Sequence, residues 1–70
     1  MTIIYNKRIG SIKNIFSGNL QTLDIIFGVE AEDYRIIFDE LIIADNQNVI
    51  DSPKMFKVNI ETKEIEIIAL

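Results

Sequence analysis

The sequence predicts a mostly β fold of the α+β class: a small antiparallel sheet or sandwich of five or six short strands with one short helix. Sixteen of the 70 residues are Ile and only three are Ala, a composition that favours strands over long helices. The length suits a single domain spanning residues 1–70.

Apolar residues occur in adjacent pairs, and neighbouring side chains of a strand leave opposite faces of the sheet. Each pair therefore places an apolar group on both faces. So short a chain has little material to cover both faces, and we expect it to bury part of its surface against another protein. The pairs are Ile3-Ile4, Ile15-Phe16, Ile25-Ile26, Ile36-Ile37, Leu41-Ile42-Ile43, Val49-Ile50, Met55-Phe56 and Ile67-Ile68.

The N-terminal segment reads as a β-hairpin. Thr2 to Tyr5 and Ile9 to Phe16 flank the polar sequence Asn6-Lys7-Arg8. The three-residue spacing of Ile9, Ile12 and Ile15 does not fit a regular strand and weakens this prediction.

The next segment predicts the helix, over residues 20–27. Leu20, Leu23, Ile26 and Phe27 recur at helical spacing, with Asn19 as the candidate N-cap and Gly28 as the candidate C-cap.

The middle of the chain, Tyr34 to Ala44, fits a helical stripe and a strand alternation equally well. Its β-branched residues favour two strands broken near Asp39-Glu40. Turn sequences follow at residues 45–48 and 52–55, and they leave residues 49–51 as a short extended piece.

The C-terminal third predicts a second hairpin with one buried face. Phe56, Val58 and Ile60 alternate with polar residues, as do Ile65, Ile67 and Ala69. Pairing the two sets in reverse order keeps all six on one face and leaves Glu61 to Glu64 as a four-residue loop.

Charge is unevenly distributed along the chain. Residues 1–23 carry +3, residues 24–51 carry -7 and residues 52–70 carry 0, for a net charge of -4. This layout permits basic-to-acidic contact between neighbouring copies, although folding could equally intermix the segments.

Five residues are candidates for a protein interface. Ile36, Ile42 and Ile43 lie in the aliphatic middle of the chain, and Lys7 and Arg8 lie in the basic first third. We expect self-association or binding to a protein partner through these residues.

No pattern predicts catalysis, a cofactor or a metal. The chain lacks Cys and His, which excludes disulfides and the usual zinc and copper sites. The serines have no His base, and the glycines lack the spacing of a phosphate-binding loop. The neighbouring carboxylates Asp39-Glu40 would point away from each other along a strand. A sequence pI near 4.5 opposes binding to nucleic acid.

No segment predicts membrane insertion or secretion. The longest apolar runs are far shorter than the roughly 20 residues that span a bilayer, and the N-terminus lacks the charged-then-apolar order of a signal peptide.

Two short stretches resemble small uncharacterised proteins of phages and prophages of low-GC Gram-positive bacteria, several of them from tail and tail-fibre gene regions. The stretches are Tyr5-Asn6-Lys7 with Gly10-Ser11-Ile12, and Phe56 to Lys63. The resemblance implies a non-enzymatic accessory component of a virion or phage-tail-like particle, located in the virion or the bacterial cytoplasm. The alternative is a small acidic inhibitor that docks on a host or defence protein.

Overall fold

A computed structural model describes residues 1–18 and 21–68. Its five short strands form two antiparallel sheets, which confirms the predicted strand-rich α+β fold. The strands are β1 (Thr2–Asn6), β2 (Ile12–Phe16), β3 (Phe38–Ile42), β4 (Phe56–Asn59) and β5 (Glu64–Ile67). The helices are α1 (Leu23–Phe27), α2 (Ala31–Tyr34) and α3 (Gln47–Asp51), with 3-10 turns at Gly28–Glu30 and Pro53–Met55. None of these helices is long and apolar enough to cross a membrane.

The first sheet has the order β2-β1-β3, so β1 lies in its centre. Ile3 and Ile4 are both buried there, on opposite faces. Ile3 packs with Tyr5, Val49 and Val58 beneath the second sheet, β4-β5, and α3. Ile4 packs with Leu23 and Ala31 beneath the α1–α2 segment. The chain thus covers both faces of β1 itself, and the aliphatic pairs do not by themselves require a partner.

The N-terminal hairpin is confirmed, and its irregular spacing has a structural cause. The β1–β2 register shifts between Ile4 and Tyr5, so that Tyr5 faces Ile12 and Ile3 faces Ile15. A β-bulge inserts one extra residue into a strand. Ile12 and Ile15, three apart in sequence, therefore share one face and pack against the same core cluster.

Helix α1 begins later than predicted, and the helical segment is longer. Thr22 is the N-cap, its Oγ1 accepting the Ile25 N–H at 3.2 Å. Gly28 is the C-cap, as predicted, with φ 59°. The predicted cap Asn19 lies outside the described residues. Helical structure resumes at once in Gly28–Glu30 and α2.

Two predictions for the middle of the chain are wrong. A single strand, β3, runs through Asp39-Glu40, where a break was expected. Residues 49–51 belong to α3 instead of an extended piece, because the Asn46 side chain accepts the N–H groups of Asn48 and Val49 and caps a helix. The helix places Val49 in the core.

The C-terminal hairpin is confirmed, with a register two residues from the predicted one. Phe56 pairs with Ile67 and Val58 pairs with Ile65. The loop starts earlier because Asn59 Oδ1 accepts two loop N–H groups, a common role of Asn in turns. A shift of two preserves the faces.

The buried face of this hairpin is smaller than predicted. Val58 is fully buried, and Phe56 and Ile65 pack against the core beside it. Ile60 and Ile67 are exposed, contrary to prediction. Ala69 lies outside the described residues.

Candidate functional site

Strand β3 forms one edge of the first sheet. Within the described chain it pairs only with β1. Met1 and Ile43 exchange both backbone hydrogen bonds, and Lys7 N–H donates to Ile37 C=O at 3.0 Å. Hydrogen-bonded pairs alternate along an antiparallel ladder. The backbone groups of Phe38, Glu40 and Ile42 therefore point away from β1. Of these, the Glu40 N–H donates to Asp39 Oδ1 at 2.8 Å.

Exposed isoleucines flank this row of outward backbone groups. Ile36 is 72% exposed, Ile37 52% and Ile42 44%. We call residues 36–42 the β3 edge. Ile43, also predicted for the interface, packs instead against the core.

The basic residues predicted for the interface lie at one end of the β3 edge. Lys7 and Arg8 are exposed in the β1–β2 turn. The Lys7 ammonium donates to the backbone carbonyl of Arg35, beside Ile36. The structure thus brings Lys7 and Ile36 together, 29 positions apart in sequence. Ile42 and Ile43 lie at the opposite end of the strand.

The acidic side chains of β3 have partners within the chain. Glu40 accepts the backbone N–H of Leu23 and lies 3.6 Å from Arg35 Nη2. Arg35 also forms a two-bond ion pair with Asp24, with N–O distances of 2.8 and 3.2 Å. Hydrogen bonding to that guanidinium lowers the pKa of the Asp24 carboxyl. These contacts attach α1 to the strand.

Asp39 lies on the opposite face of β3 from Glu40. Its Oδ2 is 3.4 Å from the hydroxyl of buried Tyr5, which is also 3.1 Å from Lys63 Nζ. That hydroxyl raises the pKa of the Lys63 ammonium. Lys63 has φ 62°, a conformation uncommon for a residue with a side chain. The three side chains join β1, β3 and the β4–β5 loop, with Tyr5 shielded from solvent.

A groove lies along the other edge of the sheet, beside β2, and the sequence analysis did not predict it. Its volume is about 560 Å³, within the range of about 300 to 1,000 Å³ common for ligand pockets. The half-buried Ile12, Ile15 and Phe56 line it, and we call them its floor. The exposed Lys13 and Lys54 also line it, and we call them its margin. We call this the β2 groove. The two lysines stand 41 positions apart, and the Ile12–Ile15 spacing that marks the bulge was the only sequence signal there.

The described residues contain no group of three side chains able to hold a metal ion. Comparisons of the chain with protein-family models, with curated proteins and with solved structures found no match.

Proposed function

We propose that this protein is a non-enzymatic structural or interaction module that joins a larger protein assembly through the β3 edge. The observation that carries the proposal is the row of outward backbone groups at Phe38 and Ile42, with the Glu40 carbonyl between them, beside exposed isoleucines. An added strand would satisfy those groups and cover the side chains.

The strength expected of this contact favours an assembly over an isolated dimer. Burying a fully exposed isoleucine contributes about 1.5 to 3 kcal/mol, and each backbone hydrogen bond about 0.5 to 1.5 kcal/mol. Three isoleucines and a few bonds only offset the roughly 4 to 15 kcal/mol that association costs. A component held at high local concentration among neighbours would bind through such an edge.

The setting we propose is a phage virion or phage-tail-like particle, with the bacterial cytoplasm as the site of synthesis. The resemblance of residues 5–12 and 56–63 to small phage proteins supports this setting. The partner is then a second copy of the chain or a larger particle protein. Position among tail genes in the source genome is the expected result, and a position among unrelated host genes would contradict the setting.

The alternative, an acidic inhibitor that mimics nucleic acid, needs its carboxylates on one exposed face. Glu30, Glu32 and Asp33 are exposed on the α1–α2 segment. Asp39 lies on the other face of the sheet, beside Tyr5, and Asp45 pairs with the Met1 amine at 2.9 Å. The dispersal of these five carboxylates favours the assembly proposal.

Sedimentation over a range of protein concentrations tests the β3 edge. We expect the full chain to associate weakly, only at the highest protein concentrations, and Ile42→Lys to weaken this association further, because a lysine on an edge strand opposes strand addition. Ile67→Lys is the matched control, since Ile67 is 69% exposed in the second sheet.

Two outcomes would contradict the proposal. One is equal loss of association in both variants. The other is that the chain stays monomeric at high micromolar concentration and that no particle protein co-purifies with it from its native lysate.

A further inference from the structure

The β2 groove is a wedge between two strands that meet at one end and diverge at the other. Ser11 and Lys57 form a β-bridge at the closed end, where Val58 N–H donates to Gly10 C=O at 2.9 Å. Beyond it, one wall is formed by residues 12–15 and Ser17, and the other by Pro53, Lys54, Phe56 and Ile68.

The wall formed by β2 presents backbone groups to the groove. The odd-numbered residues of β1 bond to β3, so its even-numbered residues bond to β2, at the pairs Thr2–Phe16 and Ile4–Asn14. Ile15 lies between these two pairs. Its N–H and C=O therefore point away from β1, toward the groove, where an extended chain could bond to them.

The charge of the groove is opposite to that of the protein. Among the described residues that line it, two are lysines and none is acidic, whereas the chain as a whole carries -4. Neither Lys13 nor Lys54 forms an ion pair within the described part of the chain. The side chains of the floor are apolar.

We propose that the β2 groove binds an extended peptide segment in which aliphatic side chains alternate with carboxylates. Hydrogen bonds to the Ile15 backbone would align the segment as an added strand. Its aliphatic side chains would pack against the apolar floor, and its carboxylates would form ion pairs with Lys13 and Lys54.

This site goes beyond the proposed interface, because it lies at the opposite edge of the same sheet. A chain that binds one neighbour at the β3 edge and an acidic segment of another in the β2 groove would connect the two.

Titration of the isotope-labelled full chain with short peptides, followed by backbone NMR, tests the proposal. The probe is an acetylated, amidated hexapeptide of alternating Glu and Ile, and the comparison peptide has Lys in place of Glu. We expect the acidic peptide to shift the signals of residues 12–17 and 53–56. We expect the basic peptide to bind at least about tenfold more weakly, a difference of about 1.4 kcal/mol.

Charge reversal at the margin of the groove provides the second arm. Lys13→Glu and Lys54→Glu, made singly, should each weaken binding of the acidic peptide about threefold, and about tenfold together. Arg8→Glu, which makes the same change of charge as either single variant in the distant turn, should weaken it less than about twofold. Both substituted lysines are outside the hydrophobic core, so folding can be checked from the unchanged remainder of the spectrum.

Three results would overturn the proposal: no shift at millimolar acidic peptide, equal binding of both peptides, or shifts confined to residues 36–42. The last would assign peptide binding to the β3 edge alone. A monomeric chain that still binds the acidic peptide would contradict the proposed function and leave the groove proposal standing.

Discussion

Gly10 joins the two sheets, and substituting it should be among the most destabilising changes in the protein. It is buried, has φ 81° and accepts the Val58 N–H. A Cβ at this position would lie 2.0 Å from the Val58 carbonyl oxygen, about 1 Å inside the closest approach that real Cβ atoms show. Gly10→Ala must therefore move β4 away from the end of β2.

The expected cost has two parts. A non-glycine residue in the left-handed region costs about 1 to 2 kcal/mol. Separating the strands loses a hydrogen bond worth about 1 kcal/mol and loosens the packing of Val58, for a total of about 3 to 5 kcal/mol. A domain of this size has a total stability of roughly 4 to 10 kcal/mol, so the variant should lose between about a third and all of it.

Gly18→Ala is the matched control. Gly18 has φ 92°, and a Cβ there meets no atom within 4 Å, so only the backbone cost of about 1 to 2 kcal/mol applies. Urea unfolding followed by circular dichroism gives both free energies. Equal losses in the two variants, within about 0.5 kcal/mol, would refute the inference that Gly10 is required by the close approach of Val58.

Three further predictions concern the core, the ion pairs and metal independence. Phe56→Ala should lower the free energy of unfolding by about 3 kcal/mol, because Phe56 packs against the core, whereas Ile67→Ala should lower it little. Similar urea midpoints for the two variants would contradict the packing of Phe56 against the core. The pKa of Asp24 is lowered by Arg35, so its ion pair stabilises the fold above the carboxyl's ordinary pKa of 3.8 and is lost as pH falls through the lower folded value. Asp24→Asn should therefore be less stable than the parent at pH 7 and equal to it near pH 2, and a difference that persists in acid would contradict the ion pair. A chelator should leave the melting temperature unchanged, and a drop restored by one specific ion would show a metal requirement.

The fold was predictable where one local rule determined it. The period-two alternation of Phe56, Val58, Ile65 and Ile67 found the second hairpin and its faces. Its register was not predicted, because the Asn59 side chain determines where the loop begins. The alternation of apolar residues does not indicate that position.

The middle of the chain was less predictable because short segments satisfy two patterns at once. Asn46 was read as a turn residue, and the same side chain caps α3. Irregular spacing at Ile12 and Ile15 weakened a correct hairpin prediction, although it marked the bulge.

Only part of the candidate site could be predicted. Of the residues predicted for an interface, Ile36 and Ile42 are exposed, whereas Ile43 pairs with Met1 and packs against the core. The position of β3 at the edge of the sheet depends on the strand order, in which β3 pairs with β1, more than 30 residues away in the sequence. The β2 groove depends on the divergence of β2 from β4, and no local pattern reports that.

Amide hydrogen exchange along β3 tests the central claim most directly. Phe38 and Ile42 have outward N–H groups, whereas Ile43 N–H donates to Met1 C=O at 3.0 Å. In a dilute solution of the chain, we expect the Phe38 and Ile42 amides to exchange rapidly and the Ile43 amide to be protected. As the chain associates, or when a particle protein is added, Phe38 and Ile42 should become protected. Association that leaves both amides as unprotected as in dilute solution would contradict strand addition at the β3 edge.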